Sequence, residues 1–190
     1  MHIVCNDNEL SIRYLEKSDD DFKLIWTWLN NENVYAFYGD SGEKQFDFVK
    51  EKYGKKIDDE TQFPCIIVFN GGPIGYIQFF EVTGDNYDLS SEQMSKLCNY
   101  TDKVIGIDLF IGEDNFRDKG IGSRVLKLLT STLFKRYGAD VIVIDPKTNN
   151  PRAIACYKKC GFKECFIAPK REEKDGVFYD NIIMKIDQED

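Results

Sequence analysis

The run Val104-Ile105-Gly106-Ile107-Asp108-Leu109-Phe110-Ile111 is almost wholly apolar and stops at Gly112, and a second apolar run, Val141 to Ile144, follows after one amphipathic stretch. Short apolar runs bounded by turn residues mark strands covered on both faces. Between them Ile121, Val125, Leu126, Leu129 and Leu133 recur at helical spacing and supply one apolar stripe. Strand, helix, strand in that order closes as a parallel pair with a right-handed crossover. A chain holding such a unit needs a sheet with helices on both faces.

The rest of the pattern fits around that unit. Leu10 to Leu15 alternates as a strand, and Ser18 to Asp20 cap a helix that turns Phe22, Ile25, Trp26 and Leu29 toward a core. A short helix is expected over Gln45 to Tyr53. Phe63 to Phe69 and Ile74 to Val82 flank Asn70-Gly71-Gly72-Pro73 as a hairpin, and Thr83 to Lys103 form a polar insertion, either a loop or a short helical excursion. Asn150 and Pro151 open a helix that runs through Tyr157 and stops at Gly161. Phe162 to Ala168 and Val177 to Ile186 close the chain as a hairpin about Lys174-Asp175-Gly176. The expected fold is of the α/β (α+β) class, one domain over residues 1–190 with a mixed sheet.

Between the first strand and its helix stands Arg117-Asp118-Lys119-Gly120-Ile121-Gly122, with Ser123 in the first helical turn. Two glycines let several N–H groups point outward together, and the helix start adds the positive end of its dipole. That is a phosphate cradle. No Gly-Lys-Ser/Thr follows, as a P-loop needs, and no third glycine completes the dinucleotide pattern. A short cradle with Arg117 and Lys119 suits a pyrophosphate at the end of a larger cofactor; a plain surface turn is the other reading.

Composition removes several alternatives. The net charge of −8 argues against a nucleic-acid backbone as partner and leaves a cationic small molecule as the better fit. No stretch reaches the ~18 apolar residues of a membrane span, and the first residues lack a secretory pattern, so no membrane partner and a cytoplasmic location are expected. The six cysteines form no Cys-x-x-Cys pair and are expected to be reduced and mostly buried. Cys156 and Cys160 without nearby imidazoles make a poor metal site, so no metal is expected. The single histidine, His2, stands at the chain start, which excludes Ser-His and Cys-His catalysis inside the fold. A general base here is a carboxylate or water.

Asp108, inside an apolar strand, requires partners, since a buried ionised carboxylate costs several kcal/mol without them. Asp145, at the end of the second run, falls on the sheet edge where ligands gather in open α/β folds.

These residues resemble the GNAT superfamily of acetyl-coenzyme A dependent N-acetyltransferases. Arg117, Gly120 and Gly122 match its Gln/Arg-x-x-Gly-x-Gly/Ala cradle, and Asn150-Pro151-Arg152-Ala153 with Tyr157 and Gly161-Phe162 match its later motif. Within it the chain is most similar to the aminoglycoside 6′-N-acetyltransferases, through Trp28-Leu29, Phe37-Tyr38-Gly39, Pro73 to Gln78, Gly106-Ile107-Asp108, and Asp145-Pro146 with Asn149 to Ile154. Phe37-Tyr38 stands where some relatives carry paired tryptophans.

The resemblance implies two splayed parallel strands around acetyl-coenzyme A, with a pantetheine arm lying along Leu109, Phe110 and Ile111 and a backbone N–H near Leu109 or Phe110 facing the thioester oxygen. It implies that residues 117–123 take the pyrophosphate, that Asn150 bonds the pantetheine or only caps its helix, and that Asp108 receives the proton of the attacked amine. Tyr157 is placed as general acid to the departing thiol, or as a core aromatic. Trp28, Tyr38, Tyr76, Gln78, Asp108 and Asp145 would line an acidic pocket for a polycationic aminoglycoside, ordinary core packing being the other reading of each aromatic. Other amines, namely a polyamine, a siderophore precursor or a protein N-terminus, and a non-catalytic acyl-coenzyme A binding module stay open, as does the oligomeric state.

Overall fold

The computed structural model describes residues 2–188. Its elements are β1 (Ile3–Asp7), β2 (Leu10–Tyr14), α1 (Asp19–Leu29), α2 (Glu32–Tyr35), α3 (Phe46–Asp58), β3 (Gln62–Phe69), β4 (Gly72–Glu81), α4 (Ser91–Leu97), β5 (Val104–Ile111), α5 (Ile121–Tyr137), β6 (Val141–Ile144), α6 (Pro151–Lys159), β7 (Lys163–Lys174) and β8 (Val177–Asp187). Short 3-10 turns cover Ser41–Lys44 and Asp114–Phe116. The strands form one mixed sheet in the order β1-β2-β3-β4-β5-β6-β8-β7. Only β5 and β6 are parallel, as the strand-helix-strand pattern requires.

That pair is short, and its shortness makes the site. Val104, Ile105 and Gly106 pair with Val141, Ile142 and Val143, whereas β5 stays paired with β4 as far as Ile111 opposite Gly75. From Ile107 onward β5 therefore has a neighbour on one side only. The strands splay, and backbone groups on the open side lack a sheet partner.

Helices cover both faces. On one, the stripe Ile121, Val125, Leu126, Leu129 and Leu133 of α5 packs with Ile12, Ile67, Ile77, Ile105, Ile107 and Ile142 from five strands. On the other, Phe22, Ile25, Trp28 and Leu29 of α1 and Val49 and Tyr53 of α3 pack on Ile66, Tyr76 and Phe110. Ser18 caps α1 by accepting from the Asp21 N–H, and the buried Asp21 takes both Arg13 guanidinium nitrogens at 2.6 Å. The insertion carries α4, whose Ser90–Gln93 capping box starts it, and buries Tyr87, Leu89 and Leu97 with Val104, Val143 and Ile183 as a third cluster.

Several expectations change. β1 and α2 were not anticipated: five residues and four residues are too short to show a period. The helix expected over Gln45 to Tyr53 runs on to Asp58, and β7 runs past Ala168 through an irregularity between Ala168 and Glu172. Trp26, expected in the core, is half-buried and donates its indole N–H to the Lys44 carbonyl, while Trp28 takes the core place. The thiols are free, but of the six only Cys5 and Cys65 are buried; the other four are half-buried.

Candidate active site

Where β5 and β6 part, a cavity of about 670 Å³ runs from the Arg117–Gly122 loop to a group of carboxylates beneath α3. At the loop end the backbone is left-handed at Asp118 (φ 58°) and Gly120 (φ 77°). A side chain added at Gly120 would meet nothing within 4 Å, so glycine serves the backbone angle there rather than packing. Gly120 is the N-cap of α5 and makes no side-chain capping bond, so the first N–H groups of this helix point into the mouth without a partner of their own. Such a terminus takes an anion.

The side chains at this end correct two expectations. Arg117 lines the cavity, but its guanidinium is committed: Nε donates to the Ile111 carbonyl at 2.9 Å, one terminal nitrogen to the Gly112 carbonyl at 3.1 Å, and the other ion-pairs with Asp114. These carbonyls lie at the end of β5, where no sheet neighbour remains to satisfy them, so the arginine is used to close the loop. Lys119 is exposed and does not line the cavity. Arg152 of α6 also lines the mouth and reaches Asp118 at 3.5 Å. Ile121 is buried in the α5 core and can present only its N–H, while Ser123 lines the cavity with its hydroxyl 3.3 Å from the Cys156 sulfur. Asn150 uses its side-chain oxygen to cap α6, accepting from the Ala153 N–H at 3.2 Å.

Along the splay, alternation separates the two backbone candidates. Val104 accepts from the Val82 N–H and Gly112 donates to the Ile74 carbonyl, so the even-numbered residues of β5 face β4. Leu109 and Ile111 therefore turn their backbone groups to the open side, and Phe110 turns its own to β4. Phe110 is thus removed as an N–H donor to the cavity, although its ring is part of the wall.

At the far end Asp108 stands opposite Gln78 on β4 and accepts its side-chain N–H at 2.5 Å. The Gln78 oxygen in turn accepts the Tyr76 hydroxyl and the Lys56 ammonium, each at 2.7 Å. Burial raises the Asp108 carboxyl above the ordinary range, with Lys56 and Gln78 pulling it back. Asp145 is held by the Arg171 guanidinium at 2.7 Å, and burial and the neighbouring Asp108 push it up to about 6. Arg171 itself is seated by the insertion, donating to the Tyr87 carbonyl at 2.8 Å and lying over the Tyr87 ring. Glu43, Glu172 and Glu173 also line the cavity; Glu43 pairs with Lys52 at 2.8 Å and Glu172 with Lys147 at 2.9 Å.

Of the aromatic residues expected here, Tyr38 lines the cavity, with its ring 4.8 Å from Phe110 edge-on, and Tyr76 is fully buried behind it. Tyr157 lines the cavity on the α6 side, and burial lifts its phenol well above the usual value. Trp28 does not line it. Its indole packs edge-on to Phe110, donates to Glu113 at 2.8 Å, and presses so closely on Gly112 that a Cβ there would lie 2.2 Å from the ring. The spacing Phe22, Ile25, Trp28, Leu29 explains this: Trp28 shares the core face of α1.

Sequence reasoning passed over Lys56, Arg171, Lys147 and the three glutamates. Lys56 had a local signal, lying three residues after Tyr53 on one helix face. Arg171 had none, because the irregularity in β7 that aims it is a property of the strand pairing.

A family model described as acetyltransferase (GNAT) domain matches residues 17–166. The chain belongs to the GNAT acetyltransferase family. It is 30% identical over 164 residues to an aminoglycoside N(6′)-acetyltransferase type 1 of Klebsiella pneumoniae, covering 85% of this chain and 78% of that protein. It is 21% identical to a spermidine N(1)-acetyltransferase of Vibrio cholerae, over 83% of this chain and 81% of the other. Among solved structures, AAC(6′)-Ib in complex with ribostamycin and coenzyme A shares the fold, with a TM-score of 0.74 and 24% identity over 95% of this chain and 94% of that one. The GNAT protein described here is an acetyl-coenzyme A dependent N-acetyltransferase. The uncapped helix start, the left-handed loop and the open edge of β5 fit that cofactor. Among the described residues no helix is long and apolar enough to cross a membrane.

Proposed function

We propose that this GNAT enzyme acetylates the 6′-amine of an aminoglycoside. The observation that carries the reading is the carboxylate group at the far end of the cavity, where Asp108 stands close enough to Asp145 to raise its affinity for protons. Asp108, unlike Asp145, Glu43 and Glu172, makes no ion pair among the described residues, so an amine of an amine-rich sugar can answer its charge, and Tyr38 offers a flat face to a ring. The 30% identical relative named for this activity supports it.

Acetyl-coenzyme A, when bound, supplies the acetyl group and leaves as a thiol. The N–H groups of residues 118–123 and Arg152 would hold its phosphates, and the Leu109 N–H, on the open side of β5, would be a donor for the oxyanion. Asp108 accepts the proton of the attacking nitrogen. The nitrogen attacks as a neutral amine, its ammonium proton (pKa ~10) having first gone to solvent; attack on the carbonyl then acidifies the nitrogen, and the buried, raised carboxyl takes its second proton late in the step. Tyr157, whose buried phenol keeps its proton, donates to the sulfur.

The test is thiol release from acetyl-coenzyme A with kanamycin, an analogue bearing hydroxyl at 6′, spermidine and a peptide amine. Turnover on kanamycin and none on the 6′-hydroxyl analogue is expected. Turnover on spermidine but not on kanamycin overturns the assignment in favour of a polyamine, the reading that the 21% identical relative supports.

A further inference from the structure

Lys56 stands inside the acidic end of the cavity with no carboxylate within ion-pair distance among the described residues. Every other cation near it is committed: Lys52 to Glu43, Lys147 to Glu172, and Arg171 to Asp145 and the Tyr87 carbonyl. Its ammonium donates instead to Gln78 Oε1 at 2.7 Å, beside the Tyr76 hydroxyl, with the Tyr53 ring 5.5 Å away. An ammonium can only donate, so it fixes which end of the Gln78 amide is oxygen and turns the NH2 end to Asp108.

We propose that Lys56 is a positioning residue of this site: it locks the Gln78 amide and stands as the uncommitted counter-charge that keeps Asp108 an anion before the substrate amine arrives. The groups facing Asp108 act on it from every side. Lys56 from α3, Gln78 from β4 and Arg171 from β7 favour its ionised form, with Lys56 acting most strongly, while Glu172 opposes it. Asp145 titrates with it, and Tyr38, Tyr53, Tyr76, Tyr87 and Tyr157 are all disfavoured from ionising by it. Lys56 itself faces Asp108 and Glu43 as attractors and Lys52 as a repeller, and burial makes it hold its proton less tightly than an exposed lysine. The residue thus trades some of its own charge stability for that of the base.

The inference rests on Asp108 being the base, and its test has an arm that needs no acceptor. Carboxyl-carbon NMR of the free protein, with the Asp108 signal assigned by its loss in Asp108→Asn, follows that carboxyl through pH in wild type, Lys56→Met and Lys56→Arg. Methionine keeps the unbranched stem of the side chain as far as Cε and removes the ammonium. The Asp108 midpoint should rise by about one pH unit in Lys56→Met and return in Lys56→Arg, and the acid limb of kcat/KM for whichever amine is acetylated should move with it. An unmoved midpoint in Lys56→Met overturns the proposal, whatever the rate does. A moved midpoint with full turnover in Asp108→Asn would instead remove the base assignment and leave the electrostatic coupling standing.

Discussion

Replacing Asp108 by asparagine isolates the proton acceptor, because the amide has nearly the same shape and sits against the same partner, Gln78, at a strand position that pairs on one side only. A positioned general base contributes about 10²–10⁴ in rate, equivalent to roughly 3–5 kcal/mol of barrier at 1.36 kcal/mol per decade. The loss should fall on kcat, since the helix start and loop proposed to hold the coenzyme are on other elements. Stability should move the other way. The folded carboxyl is raised above its unfolded value, so it stabilises the fold while protonated, and that contribution is lost as pH rises through the folded value. At pH 7 the ionised group is a burden, and the amide removes it. The assay pairs thiol release with coenzyme affinity by calorimetry and urea unfolding at pH 7. A variant more stable than wild type in urea at pH 7, with coenzyme bound equally well and turnover down at least a hundredfold, is the expected result. Unchanged turnover, or a loss explained by weaker coenzyme binding or a weaker fold, refutes the reasoning.

Burial lifts Asp145 to about 6 from an ordinary 3.8, on the order of 3 kcal/mol against its ionised form, so kcat/KM should fall as pH drops through about 6 while resistance to urea rises over the same window; a flat profile from 5 to 8 would contradict it. Trp28→Phe removes the bond to Glu113 and part of a packed ring, and should cost about 1–3 kcal/mol in urea unfolding with the acceptor KM unchanged; a raised KM at full stability would return Trp28 to the pocket. Arg117→Lys keeps the charge but not the fork that holds two carbonyls and Asp114, so coenzyme binding should weaken about as much as in Arg117→Ala; rescue by lysine would make the role one of charge. The Cys156 thiol, lowered to about 6 by Cys160 and Ser123, should be alkylated first of the six at pH 7 and be shielded by acetyl-coenzyme A, which peptide mapping would check.

Whatever depends on local pattern was legible. The bounds of β5 and β6 follow from apolar runs with glycine or turn residues at their ends, and the cap and first turn of α6 follow from Asn150-Pro151. The loop that starts α5 was visible because left-handed backbone demands particular residues there. Trp28 and Arg117 show where the pattern runs out. A tryptophan on a helix face toward the sheet has the same spacing whether a ligand or Gly112 lies against it, and an arginine in a phosphate loop has the same letter whether it meets a phosphate or two strand-end carbonyls.

The amino-acid order by itself determined most of the elements, the parallel pair, the cradle and the presence of an acid where acids are costly, since each is set by neighbours within a few residues in the chain. The tertiary structure alone decided which charges are spent and which are free. Arg171 reaches Asp145 across 26 residues of chain and Lys56 reaches Gln78 across 22, distances over which sequence spacing carries no orientation. Electrostatic character at this site is a property of such pairings, because a charge already answered by a buried partner offers little to a ligand, and an unanswered one acts on whatever lies beside it.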